Sequence, residues 1–105
     1  MKNVQLVNLL HRCVAMCNYC ASCCLAEEKV AMLSYCVRLD MDCALVCNTT
    51  AILLARGSAH GKHLLRECAE LCGLCAVECE KHAHMEHCKA CAAICRECEV
   101  ACRQT

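Results

Sequence analysis

The spacing of the cysteines constrains this chain more than any other feature. Sixteen of them fall in four runs: Cys13, Cys17, Cys20 and Cys24; Cys36, Cys43 and Cys47; Cys68, Cys72, Cys75 and Cys79; and Cys88, Cys91, Cys95, Cys98 and Cys102. Steps of three and four place residues on one face of an α-helix. The positions that carry leucine in an ordinary bundle therefore carry sulfur, in a chain with 17 cysteines among 105 residues.

The rest of the composition agrees with helix. There is no proline and there are only three glycines, so few residues oppose a helical backbone. Phe and Trp are absent and only Tyr19 and Tyr35 are aromatic, which removes the usual large core fillers. Eleven basic residues balance eleven acidic ones, leaving no electrostatic footprint for nucleic acid or a membrane surface. The length, residues 1–105, suits a single domain. The first residues, Met1 to His11, are too polar for a secretory signal, and no apolar run reaches the length of a membrane span. A cytosolic chain with reduced thiols is the expectation.

Breaks in helical phase divide the stripe. From Cys24 to Cys36 the phase advances about 1200°, which lands about 120° off the stripe. From Cys79 to Cys88 it advances about 900°, to the opposite side of the helix. Turns are therefore expected near Ala26–Val30 and Lys81–His84, and Arg56-Gly57-Ser58-Ala59-His60-Gly61 supplies a glycine stop and new caps. The spacing predicts helices over roughly 3–27, 30–56, 61–81 and 84–103. Short connections make them an all-α, antiparallel up-down-up-down four-helix bundle with a cysteine-lined lumen. Leu25, Leu39, Leu45, Val46, Leu71, Leu74, Val77, Ile94 and Val100 flank the stripes, and are expected to close the seams with any surplus left for a subunit contact. Met16 and Met41 are assigned to the seams as well.

Such a lumen needs a filler. A disulfide framework fits poorly, because the cysteine count is odd and the sulfurs follow helical period. Plain packing also fits poorly, because each thiol leaves space that leucine would occupy, and large-to-small core changes cost about 2–5 kcal/mol each. Thiolates are soft ligands for Cu(I), Zn(II) or iron–sulfur clusters. Zinc sites use discrete groups of four ligands, whereas this array is continuous. Bacterial ferredoxin runs end in Cys-Pro, and the chain has no proline. Charge favours Cu(I): thiolates shared between two coppers approach neutrality, while each zinc tetrathiolate leaves about −2 in a dry interior. CxxxC pairs, such as Cys13/Cys17, Cys43/Cys47, Cys68/Cys72 and Cys91/Cys95, occur on all four helices and suit linear S–Cu–S coordination.

The two ends of the bundle differ in composition. Antiparallel packing gathers Cys24, Cys36, Asp40, Cys79, His82, His84, His87 and Cys88 at one end. Leu6, Leu10, Leu54, Leu64 and Leu65 gather at the other, with Cys13, Cys68 and Cys102 nearby. The first end reads as an open mouth where His, Asp and Met capture an ion, and the second as an aliphatic plug. The plainer alternatives are a helix acid with a surface partner for Asp40 and a polar turn for Lys81–His87. His11, His60 and His63 are taken as solvated, and Cys23, out of phase with Cys24, as peripheral.

On the CxxxC ladder, on Cys36-Val37-Arg38-Leu39-Asp40-Met41-Asp42-Cys43 and on Cys79-Glu80-Lys81-His82-Ala83-His84-Met85-Glu86-His87-Cys88, the whole chain resembles the copper storage proteins, in their cytosolic branch. The resemblance implies a bundle that stores many Cu(I) ions through thiolates and assembles as a homotetramer. It also implies a mouth where His82, His84, His87 and Asp40 join the cysteines.

Cytosolic Cu(I) storage is thus the leading expectation, with transient contact with a copper chaperone. A zinc or general heavy-metal thiolate buffer, metallothionein-like in role, is the alternative, followed by an iron–sulfur protein. No Ser/His/Asp set, phosphate-cradling loop or paired-carboxylate motif points to an enzyme.

Overall fold

In the computed structural model, which describes all 105 residues, the cysteine stripes become four α-helices: α1 Val4–Leu25, α2 Ser34–Ala55, α3 His60–Glu80 and α4 Glu86–Arg103. They form a rod of 43 × 18 × 18 Å. Each helix packs on its neighbours around a ring, α1 on α2, α2 on α3, α3 on α4 and α4 back on α1. The diagonal pairs stay more than 8 Å apart at Cα, and the stripes face the space between them. This is the antiparallel arrangement that short connections favour.

The helix limits shift by a few residues from those expected. The second segment does not begin as α-helix at residue 30. Val30–Leu33 forms a single 3₁₀ turn, which buries Leu33 before α2 starts. The fourth helix starts at Glu86 rather than 84, because Met85 is extended, with φ −96° and ψ 127°. The α2–α3 corner is a Schellman stop. Gly57 takes φ +72°, its N–H bonds Leu54 O at 3.0 Å, and the Ser58 N–H bonds Leu53 O at 2.9 Å. Only glycine adopts that φ without strain. Ser58 Oγ then accepts the His60 N–H at 3.2 Å, opening α3. At the same corner a Cβ on Gly61 would lie 2.9 Å from Leu54 Cδ2, so glycine there lets α3 start tight against α2.

Sixteen of the seventeen cysteines are buried, and they make up the middle of the core. The aliphatic end is closed by Leu6, Val7, Leu10, Ala51, Leu54 and Leu65, all buried, with Leu64 half-buried beside them. The seam assignments need correction. Leu39 is buried, and Met16, Val46, Leu71 and Ile94 pack against the core. Leu25, Met41, Leu45, Leu74, Val77 and Val100 instead face outward. With cysteine occupying most of the inward positions along the middle of the bundle, the helix faces next to the stripe turn toward solvent, and only some of them meet a neighbouring helix.

Candidate metal centre

Because each stripe runs along its helix in register with the next, the sulfurs meet across helices as well as along them. Cys43 Sγ lies 3.7 Å from Cys47 Sγ on the same helix and 3.6 Å from Cys72 Sγ on α3. Cys95 on α4 lies 3.8 Å from Cys13 and 3.7 Å from Cys17 on α1. All seventeen cysteines are free thiols.

Sets of four donor atoms, each within 4.8 Å of the others, succeed one another down the bundle. Starting from the histidine end they include Cys20, Cys24, His87 and Cys88; Cys20, Asp40, Cys79 and Cys91; Cys17, Cys75, Cys91 and Cys95; Cys13, Cys17, Cys43 and Cys95; and Cys13, Cys43, Cys47 and Cys72. Each set shares at least one cysteine with the next: Cys20, then Cys91, then Cys17 and Cys95, then Cys13 and Cys43. Cys36 adjoins Cys79 at 3.5 Å, and Cys68 adjoins Cys47 at 3.2 Å. Cys98 points its S–H at Leu9 O, 3.7 Å away, and Cys102 is buried toward the aliphatic plug. Cys23 is half-buried and outside these sets.

Asp40 has no surface partner; it lies one donor set in from His87, with Cys20 common to its set and the His87 set. It is completely buried. Its Oδ1 accepts from the thiols of Cys75 at 3.1 Å, Cys91 at 3.3 Å and Cys79 at 3.8 Å. Its Oδ2 is buried without a partner. Burial, with the charge of Cys91 adding to it, pushes the carboxyl up to about 8. A buried charge without a counter-ion is strongly disfavoured, which favours the protonated form of this carboxyl. Cys36 moves the other way, down to about 3, because the thiols of Cys20 and Cys79 hydrogen-bond its sulfur. Burial raises Cys24, and raises Cys88 to about 11.

The three histidines separate. His87 lies over the end of the lumen, with Nδ1 3.5 Å from Cys20 Sγ, 3.8 Å from Cys24 Sγ and 3.5 Å from Cys88 Sγ. His82 is held by Glu78, its fourth-neighbour on α3, with Nε2 3.3 Å from Oε2. His84 is exposed. Both His82 and His84 line a groove of about 570 Å³ outside the bundle end, with Glu27, Met32, Leu33 and Met85. The mouth is therefore roofed rather than open, since Cys24, Cys36 and Cys88 have no exposed surface. His11, His60 and His63 are exposed, as expected. Sequence reasoning missed Glu27 and Glu78 as histidine partners. The i,i+4 spacing of Glu78 and His82 carried a signal; Glu27 and His87 lie on different elements and carried none.

A four-helix bundle whose interior is a continuous column of free thiols is a soft-metal-binding protein with capacity for many ions. The sequence model described as "Copper storage protein" matches residues 2–105, and the chain belongs to that family. Among solved structures it is similar to the copper storage protein of Streptomyces lividans loaded with 10 copper equivalents, at 43% identity and TM-score 0.91, covering 95% of this chain and 80% of that one. It is also similar to a Cu(I)-bound copper storage protein, at 35% identity and TM-score 0.90, covering 95% of this chain and 93% of the other. A cysteine-rich protein of Bacillus subtilis, YhjQ, is 40% identical over 91 residues, which are 87% of this chain and 83% of that protein.

Proposed function

We propose that this protein is a cytosolic store that sequesters many Cu(I) ions on the thiolates lining its core. The carrying observation is the unbroken succession of four-donor sets, each sharing a sulfur with the next. Shared thiolates suit Cu(I), which takes few ligands and brings one positive charge per ion, so the filled lumen approaches neutrality. The ligands in this reading are Cys13, Cys17, Cys20, Cys24, Cys36, Cys43, Cys47, Cys68, Cys72, Cys75, Cys79, Cys88, Cys91, Cys95, Cys98 and Cys102. Asp40 joins them inside the column through its free Oδ2, and His87 at its end. His82 and His84 stand farther out, as the groups an arriving ion meets first. No chemical transformation is part of this role; the copper is cargo.

A homotetramer belongs to the same proposal, supported by the exposed aliphatic side chains Leu45, Leu74, Val77 and Val100. So does transient contact with a copper chaperone, for which the groove beside His82 and His84 is the nearest accessible surface to the lumen.

Anaerobic titration of fully reduced apo-protein with Cu(I), against a competing chelator, tests the reading. Uptake on the order of one Cu(I) per lumen thiolate is expected. Saturation after a few equivalents, or tighter retention of zinc than of Cu(I), would overturn it and favour a general thiolate buffer.

A further inference from the structure

The two ring nitrogens of His87 face different surroundings. Nδ1 points at the sulfurs of Cys20, Cys24 and Cys88. Nε2 lies 3.2 Å from Oε1 of Glu27, on the connection between α1 and α2. A carboxylate offers only lone pairs, so the proton of that contact sits on Nε2. In a neutral imidazole this leaves Nδ1 with its lone pair directed at the three sulfurs. Carboxylates commonly hold metal-binding histidines in this way, fixing the tautomer and ring orientation and raising the basicity of the free nitrogen.

We propose that Glu27 is the positioning residue of the mouth, fixing His87 in the tautomer that presents Nδ1 to incoming Cu(I). This rests on the reading of His87 as a copper donor. The backbone supports the arrangement, because the Glu27 N–H donates to Cys24 O at 3.2 Å. The residue that orients the histidine is thereby anchored one turn from a sulfur of the same site. The His87 side chain keeps 11% of its surface exposed and that of Glu27 keeps 41%, so the carboxylate forms the outer rim and the ring the inner one. The Glu78–His82 pair provides an internal comparison. Its geometry is similar, but Glu78 also accepts from Lys81 Nζ at 3.1 Å, and His82 contacts no sulfur.

Two other roles for Glu27, direct ligation and long-range attraction of the cation, would act without His87, and a double-mutant cycle separates them. Long-range ¹H–¹⁵N spectra of reduced apo-protein should show His87 as the Nε2–H tautomer in the wild type. Glu27→Ala should move it toward Nδ1–H, and Glu27→Gln should restore it, since the amide carbonyl still accepts from Nε2. In anaerobic titrations, Glu27→Ala should weaken binding of the first Cu(I) equivalents about ten- to a hundredfold with total capacity unchanged. In a His87→Ala background the same change should have no effect, and Glu78→Ala should have none in the wild type. An unaltered tautomer in Glu27→Ala, or an undiminished effect in the His87→Ala background, would overturn the proposal. A wild-type protein that takes up no copper would end the storage reading instead, and the tautomer spectra would still decide the role of Glu27.

Discussion

The sulfurs of Cys47 and Cys68 lie 3.2 Å apart across the α2–α3 interface, the shortest sulfur–sulfur separation in the lumen. A disulfide needs about 2.0 Å, so this pair has the least distance to close. Mild treatment of apo-protein with a dithiol oxidant, which takes up the two electrons and two protons, should therefore link Cys47 to Cys68 before other pairs. Peptide mapping after alkylation reads this out, and copper loading should suppress the link. Random pairing would show that the sulfur column is not held in this register.

The division among the histidines gives a second prediction. His87→Ala should slow Cu(I) uptake from a chelator complex while removing at most one donor from the total. His82→Ala with His84→Ala should have the smaller effect, because neither side chain reaches the lumen thiols. Stopped-flow uptake traces for the two variants make the comparison. Equal loss of rate and capacity in His87→Ala would make it a storage ligand only.

Asp40 predicts a pH-dependent difference in stability. Its carboxyl is raised from the ordinary value to about 8 in the fold, so between about pH 4 and 8 the native state binds a proton that the unfolded chain lacks. Its contribution is complete below that window and is lost as pH rises through it. Cys36, lowered to about 3, changes stability in the opposite direction, so the difference between wild type and Asp40→Asn is the informative quantity. Asn imitates the neutral acid at every pH. Reduced apo Asp40→Asn should gain about 3 kcal/mol on wild type between pH 5 and 7, from about 1.4 kcal/mol per pH unit. Chemical denaturation at the two pH values measures it, and a difference independent of pH would place an ionised Asp40 in the empty lumen.

The aliphatic plug should bear on stability and not on copper. Leu10 is fully buried at the end of the bundle away from His87. Leu10→Ala should lower apo-protein stability by about 2–5 kcal/mol and leave the Cu(I) stoichiometry intact. A matching fall in capacity would mean that copper reaches the leucine end.

Much of this could be read from residue order, because helical period is a local property. The phase breaks after Cys24 and Cys79 located two connections, and Gly57 a third. The side of each helix that carries sulfur followed without any coordinates. The misreadings were of two kinds. Helix starts at Val30 and His84 were displaced because a 3₁₀ turn and the extended Met85 are set by how the chain closes each corner. Leu25, Met41, Leu45, Leu74, Val77 and Val100 face outward and belong to the surplus rather than the seams, because periodicity tells which side a residue takes but not whether a neighbouring helix covers it.

The sequence by itself determined the four helices, their inward sulfur stripes and the difference between the two ends, all of which depend on spacing within single segments. Only the tertiary structure decided how the donors are grouped. It buried Asp40 among thiols beside the His87 set, selected His87 over His82 and His84 as the histidine that touches sulfur, and paired it with Glu27. These relationships join residues far apart in the chain, and they depend on the rotation and axial stagger of one helix against another, which side-chain packing sets and spacing alone does not encode.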